Sequence, residues 1–279
     1  MAPAGSGMNP AIEVASLRKT FKGRDGTSRA VLKDLDLSVG AGEFLCILGP
    51  SGCGKSTLLN VLAGLDKVYE GQARVSAGRV GYLFQEPRLL PWLTAEQNLD
   101  FALTGCKVPA SRWDELKSRY LAMTGLSEYR DYYPHQISGG MAQRLALVRA
   151  LCVEPGILLM DEPFSGLDEI TARRIRTDLL SIWRETRKTI VFVTHNAYEA
   201  CFLADRILVM LGGAFRHEMR VPIARPRSYD DPAIFELSRD LIKAFDAEIG
   251  REPVPSAIPA NEPSLVDDLD RHAAARMNI

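Results

Sequence analysis

The segment at residues 49–57 constrains this chain more than any other. Its sequence, GPSGCGKST, places Gly49, Gly54, Lys55 and Ser56 in the spacing G-x-x-x-x-G-K-S/T, between an apolar run and a leucine-rich, helix-like stretch. That is the strand, loop and helix context of a phosphate-binding loop. Glycines let backbone N–H groups turn toward phosphate, the lysine reaches the β- and γ-phosphates, and the serine can ligate Mg²⁺. A plain glycine-rich turn is the weaker alternative, so we predict a phosphate site here.

Composition excludes several classes of protein. The 279 residues suffice for one α/β domain with insertions or for two smaller domains. A formal net charge of -1 gives no electrostatic basis for nucleic-acid binding. The five cysteines form no C-x-x-C pair, which indicates reduced thiols and a reducing compartment. No apolar run approaches the roughly 18 residues that span a bilayer, and the N-terminal sequence has no signal pattern. We expect a cytoplasmic chain.

Functional groups follow three short, wholly apolar runs that are typical of buried parallel strands. These runs are residues 44–48, 157–160 and 189–194. The first leads into the phosphate loop, the second ends in Asp161 and Glu162, and the third ends at His195. Because ligands bind at the carboxyl ends of such strands, we predict that these groups meet. Asp161 suits a Mg²⁺ ion and Glu162 an attacking water, whereas an isolated histidine is more often structural. The matching position of His195 favours a functional role.

The first hundred residues also predict an antiparallel element. Residues 12–17 and 31–39 have strand character and are separated by a polar turn, and a further strand region covers residues 72–84. Phe21, just before that turn, either stacks on a nucleotide base or belongs to the core. The apolar residues at 89–93 predict an ordered loop, which is either part of the core or a docking patch.

A helical insertion is predicted after this loop. Thr94 and Gln97 match a capping box, and apolar residues at helical spacing continue to about residue 126. The segment SGGMAQ at residues 138–143 then opens another helix. Its adjacent glycines suit a phosphate and equally suit a plain helix start.

The chain ends with a helix and a proline-rich tail. Asp231 and Pro232 mark a helix start, and the apolar stripe that follows predicts packing on the domain. We predict a domain at residues 11–249 with a helical subdomain at about 94–150. Residues 1–10 and the proline-rich residues 250–279 are predicted to be disordered.

Taken together, these segments resemble the ATPase subunit of ATP-binding cassette (ABC) transporters over roughly residues 12–245. The matching motifs are the Walker A at 49–57, the Q-loop Gln85, the signature at 138–143, the Walker B at 157–163 with Glu162, the D-loop at 165–168 and the switch histidine His195. The segments 85–99 and 194–210 further resemble the importer branch that serves nitrate, sulfonate, taurine and similar compounds.

This resemblance implies a fold and a set of site residues. The fold is α/β, a P-loop NTPase core with a mainly parallel sheet, an antiparallel β subdomain and an inserted helical subdomain. The ATP-binding residues would be Phe21, Gly49, Pro50, Ser51, Gly52, Cys53, Gly54, Lys55, Ser56, Thr57, Ser138, Gly139 and Gly140. Ser56, Gln85 and Asp161 would organise Mg²⁺, and Glu162, His195 and Gln85 would be catalytic. Two copies would sandwich two ATP molecules, with the signature of one copy facing the nucleotide of the other.

The resemblance also implies a function. We expect the ATP-hydrolysing, energy-coupling subunit of an importer for a small anion or organosulfonate-like solute, at the cytoplasmic face of the plasma membrane. Its partners would be a second copy, an integral-membrane permease and, indirectly, a solute-binding protein, with no nucleic acid. A non-transport cassette ATPase and an exporter subunit are the alternatives. A GTPase or kinase is disfavoured by the signature segment, and a GTPase also by the lack of an N-K-x-D motif.

Overall fold

The computed structural model describes residues 10–23, 26–76 and 78–249. Its strands are β1 (Ile12–Lys22), β2 (Ser28–Val39), β3 (Phe44–Leu48), β4 (Glu70–Val75), β5 (Val80–Leu83), β6 (Ile157–Asp161), β7 (Thr189–Thr194), β8 (Arg206–Leu211) and β9 (Ala214–Arg220). Its α-helices are α1 (Lys55–Leu62), α2 (Ala95–Gly105), α3 (Trp113–Met123), α4 (Gly139–Cys152), α5 (Glu169–Thr186), α6 (Ala197–Leu203) and α7 (Pro232–Ile249). The predicted disordered ends lie outside the described residues, apart from Pro10.

A six-stranded sheet in the order β5-β6-β7-β3-β8-β9 forms the centre of the molecule. Its neighbouring strands are parallel except for the last pair, in which β9 returns antiparallel to β8. Strands β3 and β7 are buried along their whole length, because apolar layers cover both faces of the sheet. The predicted mainly parallel sheet is confirmed.

A second sheet, in the order β2-β1-β4, is antiparallel. The region at residues 72–84, which the sequence predicts as one strand region, is in fact two strands in different sheets. Strand β4 pairs with β1, whereas β5 pairs in parallel with β6 at the edge of the large sheet. Both segments have strand-forming residues, but their pairing partners lie far away in the sequence, so local propensity cannot reveal the break.

Helices α2, α3 and α4 pack against one another. The capping box at Thr94 is confirmed, because Thr94 Oγ1 accepts from the Gln97 N–H at 3.2 Å and Gln97 Oε1 accepts from the Thr94 N–H at 2.9 Å. The apolar pattern that continues to about residue 126 belongs to two helices, α2 and α3, which are separated by an irregular turn and a short 3₁₀ segment.

Helix α7 packs on α6, and Asp231 Oδ1 accepts from the Ala233 N–H at 2.9 Å, as expected of a residue that caps a helix start. Within residues 10–23, 26–76 and 78–249, no helix combines the length and apolar character that crossing a membrane requires.

Candidate nucleotide-binding and catalytic site

The phosphate loop joins the end of β3 to the start of α1. Lys55 is the first residue of α1 and is only 4% exposed, although it is charged. Its Nζ donates to the carbonyl oxygens of Gly49 at 2.8 Å and Pro50 at 2.9 Å, and it lies 3.4 Å from Glu162 Oε1. The lysine ammonium is therefore held over the loop, next to Glu162, which directly follows strand β6.

Three glycines of the loop are required by its shape. Gly52 and Gly54 have φ angles of +78° and +108°, in the left-handed region that favours glycine. A Cβ on Gly49 would lie 2.4 Å from the Met210 carbonyl oxygen. Helix α1 has no acidic residue in its first turn, so its N–H groups and dipole leave an electropositive end beside the loop.

A cavity of about 280 Å³ opens over this loop. Its lining residues are Val31, Ser51, Gly52, Gly54, Lys55, Ser56, Thr57, Gln85 and Glu162. The cavity thus brings together the phosphate loop, the Q-loop glutamine and the acid at the end of β6. Gln85 makes a long contact of 3.4 Å from Nε2 to Ser165 Oγ, which orients its amide toward the segment after Glu162.

Asp161 faces the phosphate loop. Its Oδ1 accepts from Ser56 Oγ at 2.9 Å, and burial raises the pKa of its carboxyl above the usual value. The two side chains supply oxygen donors of the kind that Mg²⁺ prefers. No cluster of three or more His, Cys, Asp or Glu side chains able to hold a metal occurs in the described part of the chain.

Glu162 and His195 lie together, as their strand-end positions predict. His195 Nδ1 is 3.0 Å from Glu162 Oε2, and Glu162 Oε1 is the oxygen that faces Lys55. Glu162 has a φ of +42°, which is unusual for a residue with a side chain and is common at functional positions. Its N–H donates to the Val193 carbonyl at 3.0 Å, and this bond helps to hold the backbone there.

The first three residues of the signature segment lie outside the lining of this cavity. Ser138 caps α4 by accepting from the Met141 N–H at 3.2 Å, and its side chain is exposed. Ser138, Gly139 and Gly140 are not among the residues that line the cavity over the phosphate loop. Gly140 instead packs on α5, where a Cβ would lie 2.3 Å from Thr171 Cγ2, whereas a Cβ on Gly139 would meet nothing within 4 Å.

Phe21 is 46% exposed, so the core alternative is wrong for this residue. The Lys19 ammonium lies 4.7 Å from the centre of its ring. Phe21 does not line the cavity over the phosphate loop, and base stacking stays a prediction.

Several residues around the site were not predicted from sequence. Gln143 is buried and donates from Nε2 to the Pro163 carbonyl at 2.7 Å, directly after Glu162. Its place in the SGGMAQ segment is a signal from which it could have been found. Glu199, which follows His195 by four residues, is also buried, and Arg176 is buried 3.8 Å from it; no spacing in the sequence connects Arg176 to His195.

Comparisons with known proteins identify relatives of this chain. A sequence model of the ABC transporter family matches residues 32–165. An aliphatic sulfonates import ATP-binding protein of Burkholderia lata is 39% identical over 87% of this chain and 89% of its own length. The protein of the same description in Bacillus subtilis is 37% identical over 85% of this chain and 94% of its own length. A solved dimeric ATP-binding cassette in a post-hydrolysis state with ADP and Pi aligns with a TM-score of 0.69 at 31% identity, over 76% of this chain and 100% of that chain.

Proposed function

This chain belongs to the ABC transporter family, and from that premise we propose that it is the ATP-hydrolysing subunit of an importer for a small anion, with aliphatic sulfonates as the favoured solute class. The observation that carries the proposal is the meeting of Lys55, Asp161, Glu162 and His195 at one edge of the sheet. The solute class is supported by the names of the relatives, which match this chain over most of its length.

Each residue of the site has a part in hydrolysis. Lys55 leaves its loop carbonyls to neutralise the β- and γ-phosphates of ATP. Glu162 orients the attacking water and accepts its proton, while His195 holds the glutamate and contacts the γ-phosphate. Ser56, Asp161 and Gln85 would hold Mg²⁺, which when bound neutralises charge that develops on the phosphate oxygens.

The site of one chain is half of the working site. Ser138 and Gly140 lie outside the cavity of their own chain, so we place them opposite the γ-phosphate bound by a second copy. The α4 N-terminus that Ser138 caps carries the positive end of the helix dipole, which suits this anion. The dimeric cassette to which this chain is similar supports the arrangement.

A surface groove suits the permease partner. The groove has a volume of about 330 Å³ and lies between α2, α4 and β5, with Phe101 on its rim at 62% exposure. Trp92, in the adjoining loop, is 70% exposed. Exposed aromatic side chains at a groove are common anchors of protein interfaces. We assign this surface to an integral-membrane permease at the cytoplasmic face of the membrane, which would receive solute from a separate binding protein.

The loop before α2 is built firmly enough to serve as such a surface. The buried Asn98 accepts from the Leu90 N–H at 2.8 Å, and its two amide hydrogens are shared among three carbonyl oxygens of the loop, at Leu90, Leu93 and Thr94. Arg149 of α4 donates to the carbonyls of Pro87 and Arg88, each at 2.7 Å. These bonds order the predicted loop while leaving its aromatic side chain outside.

The substitution Glu162→Gln tests the catalytic assignment. We expect the variant to keep its affinity for ATP and to lose about 10²- to 10⁴-fold in turnover, because the amide cannot accept the proton of water. The measurement is steady-state phosphate release beside equilibrium ATP binding. Glu128→Gln, at an exposed glutamate of the helical region, is the matched control and should behave as wild type. Wild-type turnover in Glu162→Gln would overturn the assignment.

The solute class needs a separate experiment, with the chain assembled with its permease in vesicles that contain the solute-binding protein. We expect an aliphatic sulfonate to stimulate ATP hydrolysis and to accumulate on the side that holds ATP. Stimulation by nitrate and not by the sulfonate would show that aliphatic sulfonates are not the solute class. Solute movement in the opposite direction would favour an exporter.

A further inference from the structure

A buried polar chain connects helix α5 to the backbone at His195. Arg176 lies on the second turn of α5 and is 1% exposed. Its Nη2 donates to Glu169 Oε1 at 2.8 Å, and its Nη1 lies 3.8 Å from Oε1 of the buried Glu199 on α6. The guanidinium carbon also lies 5.7 Å from the ring centre of Phe164, which follows Glu162 by two residues.

The chain of contacts continues from Glu199 to both neighbours of His195. Thr194 Oγ1 donates to Glu199 Oε2 at 2.7 Å, and the same hydroxyl oxygen accepts from the Asn196 N–H at 3.0 Å. Asn196 in turn caps α6 by accepting from the N–H groups of Tyr198 and Glu199. The backbone on each side of His195 is therefore bound by a network of polar side chains that includes Thr194 and Glu199 and ends at the positively charged Arg176.

We propose that Arg176 is a positioning residue for His195 and acts through Glu199 and Thr194. The inference rests on the proposed function, in which His195 takes part in ATP hydrolysis. The imidazole is largely exposed and its hydrogen bond is to Glu162, so the direction in which it points depends on its backbone. The buried Arg176 guanidinium lies within ion-pair distance of the Glu199 carboxylate, and that carboxylate accepts a hydrogen bond from the Thr194 hydroxyl. Side chains that fix a catalytic group from behind commonly decide its geometry.

Helix α5 also lies next to the segment that follows Glu162. This helix begins directly after residues 165–168, and Ser165, Gly166 and His195 line one cavity of about 200 Å³. A shift of α5 would therefore reach His195 through Arg176.

The first test combines Arg176→Met with Glu199→Gln, so that neither buried charge is left without its partner. The amide that replaces the Glu199 carboxylate can still accept from Thr194, so the pair of substitutions removes the tie to α5 together with the contacts of Arg176 with Glu169 and Phe164. We expect kcat for ATP hydrolysis to fall about ten- to a hundredfold, with KM for ATP unchanged, because geometry at the reacting group is lost and nucleotide binding is not. Arg176→Lys, which keeps a cation toward Glu199, should recover part of the loss. Arg184→Met, at an exposed arginine of the same helix, is the matched control.

The second test repeats the substitutions in a His195→Ala background. If Arg176 acts through the histidine, the paired substitution should lower kcat no further there. An equal further loss in that background, or a wild-type kcat for the paired variant beside a deficient His195→Ala, would overturn this inference alone. Wild-type turnover in His195→Ala would overturn both the inference and the catalytic role of His195. Thermal unfolding of every variant confirms that the compared chains are folded.

Discussion

Gly140 has two reasons to be a glycine, and the sequence motif expresses only one of them. The motif assigns it to the phosphate of a partner copy. In the structure its Cα faces Thr171, and a Cβ would lie 2.3 Å from Thr171 Cγ2. Thr171 is also the residue whose N–H donates to Asp168 Oδ1 at the start of α5. The signature segment and the D-loop helix of one chain are therefore in direct contact, which a bulkier residue would disturb.

Stability measurements can separate the two reasons. We expect Gly140→Ala to lower Tm, since overpacking of this kind costs about 1–3 kcal/mol. Adding Thr171→Ala should restore Tm, because it removes Cγ2 and leaves Cβ at 3.6 Å from the new methyl group. Gly139→Ala is the matched control and should leave Tm unchanged or slightly raised, because alanine favours helix and the site is open.

The rate of ATP hydrolysis by the variant that carries both Gly140→Ala and Thr171→Ala then tests whether Gly140 is also needed at the phosphate. If Tm returns while ATP hydrolysis stays low, Gly140 is needed at the nucleotide as well as at α5. An unchanged Tm in Gly140→Ala would show that α4 and α5 separate without cost, contrary to the contact described.

At the scale of elements, the loop before α2 has some side chains that pack on the core and others that are exposed beside the groove. Of the two predicted alternatives for residues 89–93, the core alternative holds for part of the segment, and the docking alternative stays a prediction for the exposed part. Leu89 is partly buried against the core, whereas Trp92 is mostly exposed. The division follows from Asn98, which binds the backbone of the loop and leaves the indole facing outward.

The docking role of this surface predicts a selective loss of coupling. Trp92→Asp and Phe101→Asp should each weaken assembly with the permease by about 30-fold or more, as expected for aromatic anchors worth about 2 kcal/mol. ATP hydrolysis by the isolated chain should be unchanged, because neither side chain lines the cavity over the phosphate loop. Co-purification with the permease and solute-stimulated hydrolysis are the two measurements.

Leu65→Asp serves as the control for this pair, since Leu65 is an exposed apolar residue outside the groove. Intact coupling in both aromatic variants would place the permease elsewhere. Loss of coupling in Leu65→Asp as well would indicate a general effect of added charge.

At the scale of the whole molecule, the proposed function requires that two chains share each ATP. Lys55 and Ser138 would then belong to the same site only when they come from different copies. Two inactive variants should therefore complement each other if each supplies what the other lacks.

We expect a mixture of Lys55→Ala and Ser138→Asp chains to recover up to about a quarter of wild-type turnover. Half of randomly formed dimers are mixed, and each mixed dimer has one intact site of two. Aspartate still caps α4, but its charge repels phosphate. A mixture of Lys55→Ala and Glu162→Gln should recover nothing, because both residues act in the same copy. Recovery in the second mixture, or none in the first, would contradict a shared site.

The sequence alone was enough to predict the chemistry that we propose for this protein. Phosphate binding, metal coordination and water activation each demand particular residue types at short spacings, so residues 49–57, Asp161, Glu162 and His195 could be identified from local patterns. Their places at strand ends also predicted that they meet.

The tertiary structure decided what depends on pairing between distant segments. It placed residues 70–75 and 80–83 in different sheets and left Phe21 exposed. It also packed Gly140 on Thr171 and connected Arg176 to the backbone at His195. Pairing between distant segments arises only when the whole chain folds, and local patterns do not encode which segments pair.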